Sequence, residues 1–395
     1  MAEHHRVNMT LPEFEFCAPT RLVVGRDALR RLGELASELG ATRVLVVSDS
    51  GIIAAGHTAA GIESLAAAGL GTATFSGFTE NPSSREVEAG ARFARDFRPD
   101  LVVGLGGGSS MDCAKGINFL LSCGGRMQDY KGRGTATGPM LPSIAVPTTA
   151  GTGSETQSFA LITDDESGMK MACGDPRAAF RIAILDVNLT LTQPRSLAAL
   201  TGIDALSHAI ESHVSRAATP ASRTFSREAW RLLARHLPGI VRDDGTIAAR
   251  EAAQFGAALA GFAIENAMLG AAHALANPLT ATHGIVHGQA VGVMLPHVVR
   301  FNGRSPGENA CAAGYAELLT DIGIESDVPR AGDRLADWLT ALLQSSGLNT
   351  SLTACGCSHA DAHTLATAAA AQWTAGFNPR PVTAADLARL YEAAR

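Results

Sequence analysis

Two stretches of the sequence concentrate side chains that can bind a metal ion. Asp204 and His208 are four residues apart in the stretch 201–211, so on a helix they share one face and can chelate the same ion. Their neighbours are apolar, and a carboxylate in such surroundings is costly unless it is paired with a cation. Farther along, the stretch 271–288 adds three imidazoles, those of His273, His283 and His287.

This set of side chains has the chemistry of a transition-metal site. One carboxylate with two or three imidazoles suits Fe²⁺ or Zn²⁺ and leaves room for a substrate oxygen. Any single histidine among the 12 more often caps or lines a helix. For the group as a whole, which accompanies a possible nucleotide site earlier in the chain, a metal-binding role is favoured. Cys355, Cys357 and His359 form a second cluster. That cluster lacks a matching second pair of ligands, and it is interpreted as a loop that closes into a helix near Ala360.

A glycine-rich loop follows the predicted strand 101–104. Gly106, Gly107, Gly108 and Ser109 come after it and lead into a predicted helix. Glycines let a pyrophosphate approach the backbone closely, and the start of a helix offers free N–H groups. Ser109 occupies the last glycine position of G-x-G-x-x-G, so an ordinary Rossmann fingerprint is not supported. Taken alone, the loop is equally consistent with a tight turn that binds no ligand.

A second loop, residues 146–155, also follows a predicted strand and is rich in hydroxyl groups, those of Thr148, Thr149, Thr152 and Ser154. Asp49 follows the apolar run of a third predicted strand, 43–48. A carboxylate there can accept hydrogen bonds from an adenosine ribose and would repel an added 2′-phosphate, which favours NAD over NADP. The alternative for Asp49 is a helix N-cap or an Asx turn.

The elements that position these residues fall into two groups. A chain of 395 residues is long for one core, so we expect two domains. Apolar strands at 43–48, 101–104, 143–146 and 181–185 alternate with helical stretches, which predicts parallel βαβ units. After Pro194, segments with helical spacing lie at 195–214, 223–237, 246–277 and 359–374, with breaks expected at residues 277–278 and 283–284. We therefore predict an α/β domain over 1–190 and an all-helical domain over 191–395.

Charge and composition limit the possible partners and compartment. The net charge is -6 and no basic run could neutralise several phosphates, so we expect no nucleic-acid partner. Residues 1–11 lack the apolar core of a signal peptide. No stretch reaches the roughly 18 apolar residues that a membrane helix needs, so we expect a cytoplasmic protein without a membrane partner. Seven cysteines, an odd number, fit reduced thiols in that compartment.

Several long motifs in a fixed order resemble the iron-containing (group III) alcohol dehydrogenases, which include lactaldehyde reductase and propanediol dehydrogenase. The resemblance covers nearly the whole chain. It runs from the segment 19–25 to the segment 378–381 and includes the motifs GGGSSMDCAK, PTTAGTGSE, ILDVNLT, TGIDALSHAIE, HALANPLTATHGIVHG and LPHV.

The resemblance implies a fold and a set of site residues. The fold is dehydroquinate-synthase-like, with a nucleotide-binding α/β domain followed by a helical metal-binding domain. The implied metal ligands are Asp204, His208, His273 and His287, and His283 lies outside them. The implied contacts to NAD are Asp49, Asn81, Gly107, Gly108, Ser109, Thr148, Thr149 and Lys170. Members commonly assemble as dimers or larger homo-oligomers.

One residue departs from the family pattern. Lactaldehyde-reductase-like members carry a further histidine four residues after the first of the paired ligands, where this chain has Asn277. An amide cannot shuttle a proton as an imidazole can, so no protein general acid is assigned, and the proton is expected to move through water or cofactor hydroxyls. Phe159 is placed near the pocket by family position, although an ordinary core phenylalanine is an equal alternative.

The expected function is a metal-dependent, NAD-linked alcohol dehydrogenase that interconverts a small alcohol and its aldehyde or ketone, with Fe²⁺ as the metal and Zn²⁺ as the alternative. One rival is a maleylacetate-reductase-like or hydroxyacid-oxoacid transhydrogenase-like enzyme that acts on an oxoacid. Others are a lyase of the dehydroquinate synthase type and a non-catalytic nucleotide-binding protein. The sequence leaves the substrate itself undetermined.

Overall fold

The computed structural model describes residues 13–242, 244–304, 310–357 and 362–395. Its first half alternates strands and helices. The strands are β1 (Arg21–Val24), β2 (Arg43–Val47), β3 (Gly71–Phe75), β4 (Leu101–Gly106), β5 (Gly132–Arg133), β6 (Ser143–Pro147), β7 (Phe159–Thr163), β8 (Lys170–Gly174) and β9 (Ile182–Leu185). The helices between them are α1 (Leu32–Glu38), α2 (Ser50–Ala54), α3 (His57–Ala67), α4 (Ser84–Phe97) and α5 (Gly108–Cys123).

Six strands form one parallel sheet in the order β1-β9-β6-β4-β2-β3. Every residue of β4 and β6 is buried, which explains why these strands are continuous apolar runs: helices cover both faces of the sheet. Because β4 lies between β6 and β2, the loops that follow these three strands meet at one edge. The glycine-rich loop, the hydroxyl-rich loop and Asp49 are therefore neighbours.

The four predicted strands are confirmed as β2, β4, β6 and β9, with ends that differ by one or two residues. The sequence interpretation missed a small second sheet of β5, β8 and β7, in which β7 and β8 are antiparallel. β5 has only two residues, and β8 begins with Lys170 and ends with Gly174, so neither carries the continuous apolar run by which the strands of the large sheet were predicted. This small sheet positions Lys170, the first residue of β8, near the nucleotide loops.

The second half is helical. Its helices are α6 (Arg195–Val214), α7 (Pro220–Arg242), α8 (Ile247–Ala267), α9 (Ala271–His283), α10 (His287–Gly303), α11 (Ala310–Asp321), α12 (Val328–Ser345), α13 (Ala362–Ala370) and α14 (Ala384–Ala393), with a 3₁₀ turn at Trp373–Phe377. Helices α6 to α10 pack against one another around a single apolar core. The predicted fold class, an α/β domain followed by a helical domain, is confirmed.

Two predictions about helix breaks were wrong. The segment 246–277 is not one helix, because Met268 adopts a positive φ of 63° and separates α8 from α9. Conversely, α9 continues through Pro278 instead of breaking there. Proline only removes one hydrogen bond and crowds the preceding turn, and the packing of α9 against α10 and the 373–377 turn outweighs that local cost. The predicted break at Gly284, with φ 64°, is confirmed.

The described part of the chain contains no single helix long and apolar enough to cross a membrane. Helices α8 and α9 together reach that length and composition, but they are bent by 104° at the break between them.

The two halves touch closely where α8 meets the loop after β6. The hydroxyl of Thr156 donates to the carbonyl of Ala258, 2.8 Å away. A Cβ atom at Gly261 would lie 2.0 Å from Oγ1 of Thr156 and 2.5 Å from the carbonyl oxygen of Gly153. Because no side chain fits, glycine at 261 allows the metal-binding half to sit directly on the hydroxyl-rich loop.

We expect Gly261→Ala to lower the free energy of unfolding by about 1–3 kcal/mol, the usual cost of overpacking. This cost exceeds the gain of about 1 kcal/mol that alanine brings to a helix interior. Urea unfolding of the variant checks the sign. Gly138→Ala is the control, because a Cβ there meets no atom within 4 Å and its stability should match that of the unaltered protein. An equally stable Gly261→Ala would contradict the close contact.

Candidate metal and nucleotide site

Asp204, His208 and His273 bring ligand atoms within 4.8 Å of one another, and His287 approaches the carboxylate of Asp204 as a fourth candidate. Oδ1 of Asp204 lies 3.4 Å from Nε2 of His208, 3.4 Å from Nε2 of His273 and 3.7 Å from Nε2 of His287. Asp204 and His208 are one turn apart on α6, His273 is the third residue of α9, and His287 begins α10. The first three are buried, whereas the side chain of His287 is 21% exposed. The site therefore opens on the His287 side.

The spacing of these atoms fits a divalent metal ion. Bonds of about 2.1 Å from a tetrahedral metal separate its ligand atoms by about 3.4 Å. Oδ1 of Asp204 and Nε2 of His273 are buried and have no hydrogen-bond partner, which costs free energy in the absence of a cation. A metal ion held by Asp204, His208 and His273 would satisfy both, and His287 is near enough to Asp204 to be a fourth candidate ligand. The residues present therefore fit the metal that the sequence predicts.

Protonation at this cluster is tuned by burial and by the buried carboxylates. Burial lowers the pKa of His208 to about 4 and that of His287 to about 3, so at neutral pH both imidazoles are uncharged and have a lone pair to offer. Burial also opposes a charge on His273, but the adjacent carboxylates of Asp204 and Glu211 raise its pKa to about 9. Burial by itself raises the pKa of Asp204, but the neighbouring imidazoles lower it by more. The net pKa lies below that of an ordinary aspartate, so Asp204 is ionised.

Glu211 holds His273 in place, and the sequence interpretation missed it. The Nδ1 atom of His273 lies 2.6 Å from Oε2 of Glu211, and the backbone N–H of Ala272 donates to Oε1 over 2.7 Å. A proton on Nδ1 leaves Nε2 directed at Asp204, the arrangement by which a carboxylate orients a metal-bound histidine. The signal was available, because Asp204, His208 and Glu211 follow the i, i+4, i+7 spacing of one helix face.

The other candidate ligands lie elsewhere or are unsuited. His283 is exposed at the end of α9, and its Nδ1 pairs with the hydroxyl of Thr282. Burial raises the pKa of the Cys355 and Cys357 thiols, so they are protonated and poor ligands at neutral pH. His359 lies outside the described residues.

The nucleotide loops meet at the edge of the sheet as the strand order requires. Gly107 is the N-cap of α5 and Gly108 its first residue. The backbone N–H of Thr148 donates to the carbonyl of Gly106 over 3.0 Å, which joins the two loops. The Oγ1 atoms of Thr148 and Thr149 are buried and have no hydrogen-bond partner. Unsatisfied hydroxyls beside a free helix start are suited to a polar cofactor.

Asp49 and Asn81 lie at this edge of the sheet. Asp49 is the N-cap of α2, accepts hydrogen bonds from the backbone N–H groups of Gly51 and Ile52, and also accepts one from the hydroxyl of Ser110. The N-cap alternative is thus part of its role. Asn81 adopts a positive φ of 57°, and its backbone N–H donates to the hydroxyl of Ser109 over 3.2 Å. Both side chains are half-buried.

Two lysines lie near these loops, Lys170, which is half-buried, and Lys115, which is buried. Burial lowers the pKa of Lys170, and the charges of Asp112 and Asp204 oppose that shift. Lys115 is fully buried, and burial lowers its pKa to about 8. Its Nζ donates to the carbonyls of Ser154, Gln157 and Phe159 and to the hydroxyl of Ser154, at 2.7–3.0 Å. The sequence interpretation did not single out Lys115, which fixes the shape of the hydroxyl-rich loop.

The metal cluster adjoins this loop directly. A Cβ atom at Gly151 would lie 2.4 Å from Cβ of Thr201, and Thr201 is one turn before Asp204 on α6. The metal-binding helix therefore touches the nucleotide-binding loop without an intervening layer of side chains.

Asn277 is one turn after His273 on α9 and is half-buried, whereas residues 271–276 are buried. Its Nδ2 donates to Oε1 of Gln372 over 3.1 Å. The next residue, Trp373, is 42% exposed and its ring centroid lies 5.2 Å from that of Phe159. Phe159 is buried, and it packs against the exposed indole of Trp373. The segment 372–373 thus connects α9 to the start of β7.

Comparison with known proteins gives a consistent result for both halves. Residues 19–187 match the family described as iron-containing alcohol dehydrogenase, and residues 198–395 match the C-terminal part of the same family. The chain is 33% identical to the NAD-dependent methanol dehydrogenase of Bacillus methanolicus over 95% of this chain and 98% of that protein.

Solved structures also resemble this chain over nearly its whole length. The crystal structure of 1,3-propanediol oxidoreductase has a TM-score of 0.93 and 31% identity, covering 97% of this chain and 100% of that one. The sulfoacetaldehyde reductase of Bifidobacterium kashiwanohense, solved in complex with NAD+, has a TM-score of 0.86 and 28% identity, covering 97% and 99%.

The fold and the site together define a metal-dependent, NAD-linked alcohol dehydrogenase. The chain belongs to the iron-containing alcohol dehydrogenase family.

We expect Glu211→Gln to weaken metal binding about 10- to 100-fold, because a carboxylate that orients a ligating histidine has that effect when replaced. Metal content after dialysis against a graded chelator measures the change. Glu265→Gln is the matched control. Glu265 is also a buried carboxylate, but it accepts from the N–H and hydroxyl of Ser158 and touches no candidate ligand. Equal metal retention in the two variants would contradict the role of Glu211.

Proposed function

We propose that Asp204, His208, His273 and His287 hold the iron of this NAD-linked alcohol dehydrogenase, and that the substrate is a small alcohol or its aldehyde or ketone. The observation that carries the proposal is the convergence of three imidazole Nε2 atoms within 3.7 Å of the buried, unpartnered Oδ1 of Asp204. When bound, iron polarises the alcohol oxygen and NAD accepts the hydride from the carbinol carbon.

The chain's own contribution is to orient these groups. Glu211 fixes the ring of His273, and the contact of Thr201 with Gly151 sets the distance between the metal cluster and the nucleotide loop. Such positioning can supply several kcal/mol of a reaction barrier, because the reactants no longer lose their freedom in the rate-limiting step. Support for the nucleotide contacts comes from the free start of α5 and the two unpartnered threonine hydroxyls. The proposed contacts to NAD are Asp49, Asn81, Gly107, Gly108, Ser109, Thr148, Thr149 and Lys170.

The proton path does not use a histidine at position 277. The carboxamide of Asn277 is paired with the carboxamide of Gln372, and a carboxamide does not titrate near neutral pH, so it cannot act as a general acid or base. We propose that the proton leaves through water or through the ribose hydroxyls of the cofactor. The exposed side of the cluster, next to His287, supports a route open to water.

Three further features belong to the proposal. The domains are 1–190 and 191–395, supported by the end of the last sheet strand at Leu185 and the start of α6 at Arg195. The protein acts in the cytoplasm, and it assembles as a homo-oligomer, a dimer or larger, as its family resemblance implies.

Removal of the metal should abolish activity. We expect NADH formation from a panel of small primary alcohols to cease after treatment with a chelator. Activity should return on addition of Fe²⁺, or of Zn²⁺ if Zn²⁺ is the native metal. Absorbance of NADH is the measurement, and circular dichroism checks that the metal-free protein remains folded. Unchanged turnover in protein shown by elemental analysis to be metal-free would refute the proposed mechanism.

Asp49→Ser should raise the use of NADP relative to NAD by an order of magnitude or more. Serine keeps an N-cap on α2 while it removes the negative charge that opposes a 2′-phosphate. The ratio of kcat/KM for the two cofactors is the measurement. Asp100→Ser is the control, because Asp100 accepts from the N–H groups of Thr42 and Arg43 at the opposite end of β2. The same ratio in both variants would exclude Asp49 as a determinant of cofactor choice.

A further inference from the structure

We propose that Asn378 is a positioning residue for the metal site, because it joins the start of α9, which carries His273, to the end of α10, which begins with His287. This inference rests on the metal site proposed above. Asn378 lies 105 residues after His273 in the chain and touches none of the four candidate ligands, so its effect must pass through the backbone and through Glu211.

The carboxamide of Asn378 is fully engaged. It is 1% exposed. Its Oδ1 accepts from the backbone N–H of Ala271 at 3.2 Å and from Nδ2 of Asn302 at 3.1 Å. Its Nδ2 donates to Oδ1 of Asn302 at 2.8 Å and to the carbonyl of Arg380 at 2.6 Å. Two donated and two accepted bonds use both ends of the amide, so no other side chain of similar size reproduces the pattern.

These bonds converge on the first turn of α9. Asn378 accepts from the N–H of Ala271, and Glu211 accepts from the N–H of Ala272 and pairs with the ring of His273. The first N–H groups of a helix have no partner within the helix, so these two side chains act as its cap. Gly270 lets them approach, since a Cβ there would lie 2.9 Å from Oε1 of Glu211 and 3.1 Å from Oδ1 of Asn378.

The segment that carries Asn378 is itself anchored to α10. The guanidinium of Arg380 lies 3.7 Å from the ring centroid of Phe301, and its Nη1 donates to the carbonyl of Phe301 over 2.9 Å. Asn302, the partner of Asn378, is the next residue on α10. The segment 378–380 thus ties the start of α9, two residues before His273, to the end of α10, which lies 15 residues from His287, so its effect on the cluster acts through His273.

Small shifts in the position of a ligand change the affinity for the metal. Metal sites tolerate shifts of about 0.2 Å in ligand distance, and replacing a residue that hydrogen-bonds a metal ligand typically costs about 10- to 100-fold in metal affinity. Asn378 acts one contact farther out, through Ala271 at the start of α9. Loss of Asn378 frees the first turn of α9 on one side while Glu211 still holds the other. We therefore expect an effect at the lower end of that range.

The test is titration of the metal-free, full-length protein with Co²⁺, whose visible absorption reports ligand geometry. Asn378→Ala should raise the dissociation constant for Co²⁺ about tenfold or more and alter the spectrum. Asn378→Asp is the second variant. It keeps an acceptor for Ala271 but removes the donor to Arg380 and Asn302, so it should weaken Co²⁺ binding in the same direction, and it serves if the alanine variant does not fold.

Asn118→Ala is the matched control. Asn118 is also a 1% exposed asparagine, and it bonds both the carbonyl and the N–H of Leu141 in the α/β half. We expect a comparable fall in Tm with unchanged Co²⁺ affinity and spectrum. If both Asn378 variants bind Co²⁺ like the control, Asn378 has only a general structural role and the inference is overturned. If the unaltered protein binds no Co²⁺, the proposed metal site itself fails, which is a different result.

Discussion

The structure of the helical half depends on one buried carboxylate. Asp204 is ionised in an apolar surrounding and has no hydrogen-bond partner on Oδ1, and a charge taken out of water costs several kcal/mol unless a cation compensates it. Three imidazoles from three helices approach that oxygen, and two of them are uncharged at neutral pH. Packing of α6, α9 and α10 therefore has to satisfy the geometry of the cluster as well as the apolar core around it.

The α/β half meets this centre through its loops. The order of the sheet strands brings the ends of β2, β4 and β6 together, and buried Lys115 gives the hydroxyl-rich loop a fixed shape. That loop touches α6 at Thr201 and α8 at Gly261. Because this loop contacts α6, which carries two of the candidate metal ligands, and holds two unpartnered threonine hydroxyls, the spacing between the candidate metal cluster and the nucleotide loop depends on the contacts of one short segment.

Local patterns predicted much of this arrangement. The spacing of Asp204 and His208 required only a helix, and the apolar runs of β2, β4, β6 and β9 required only a buried parallel sheet. What local patterns lacked was information about distant packing. They could not distinguish His287 from His283, a choice that needed the family resemblance. They also did not reveal that Pro278 would be accommodated within α9, or that Glu211, Gln372 and Asn378 would meet residues more than 60 positions away.

The origin of the four candidate ligands in three separate helices has a consequence for biosynthesis. A chain is made from its amino end, so Asp204 and His208 leave the ribosome well before His273 and His287. Two ligands on one helix face hold a divalent ion weakly, and the pair cannot discriminate one metal from another by geometry. The four candidate ligands are therefore assembled only when α9 and α10 have docked on α6, so metal binding at this cluster depends on the folding of the helical half.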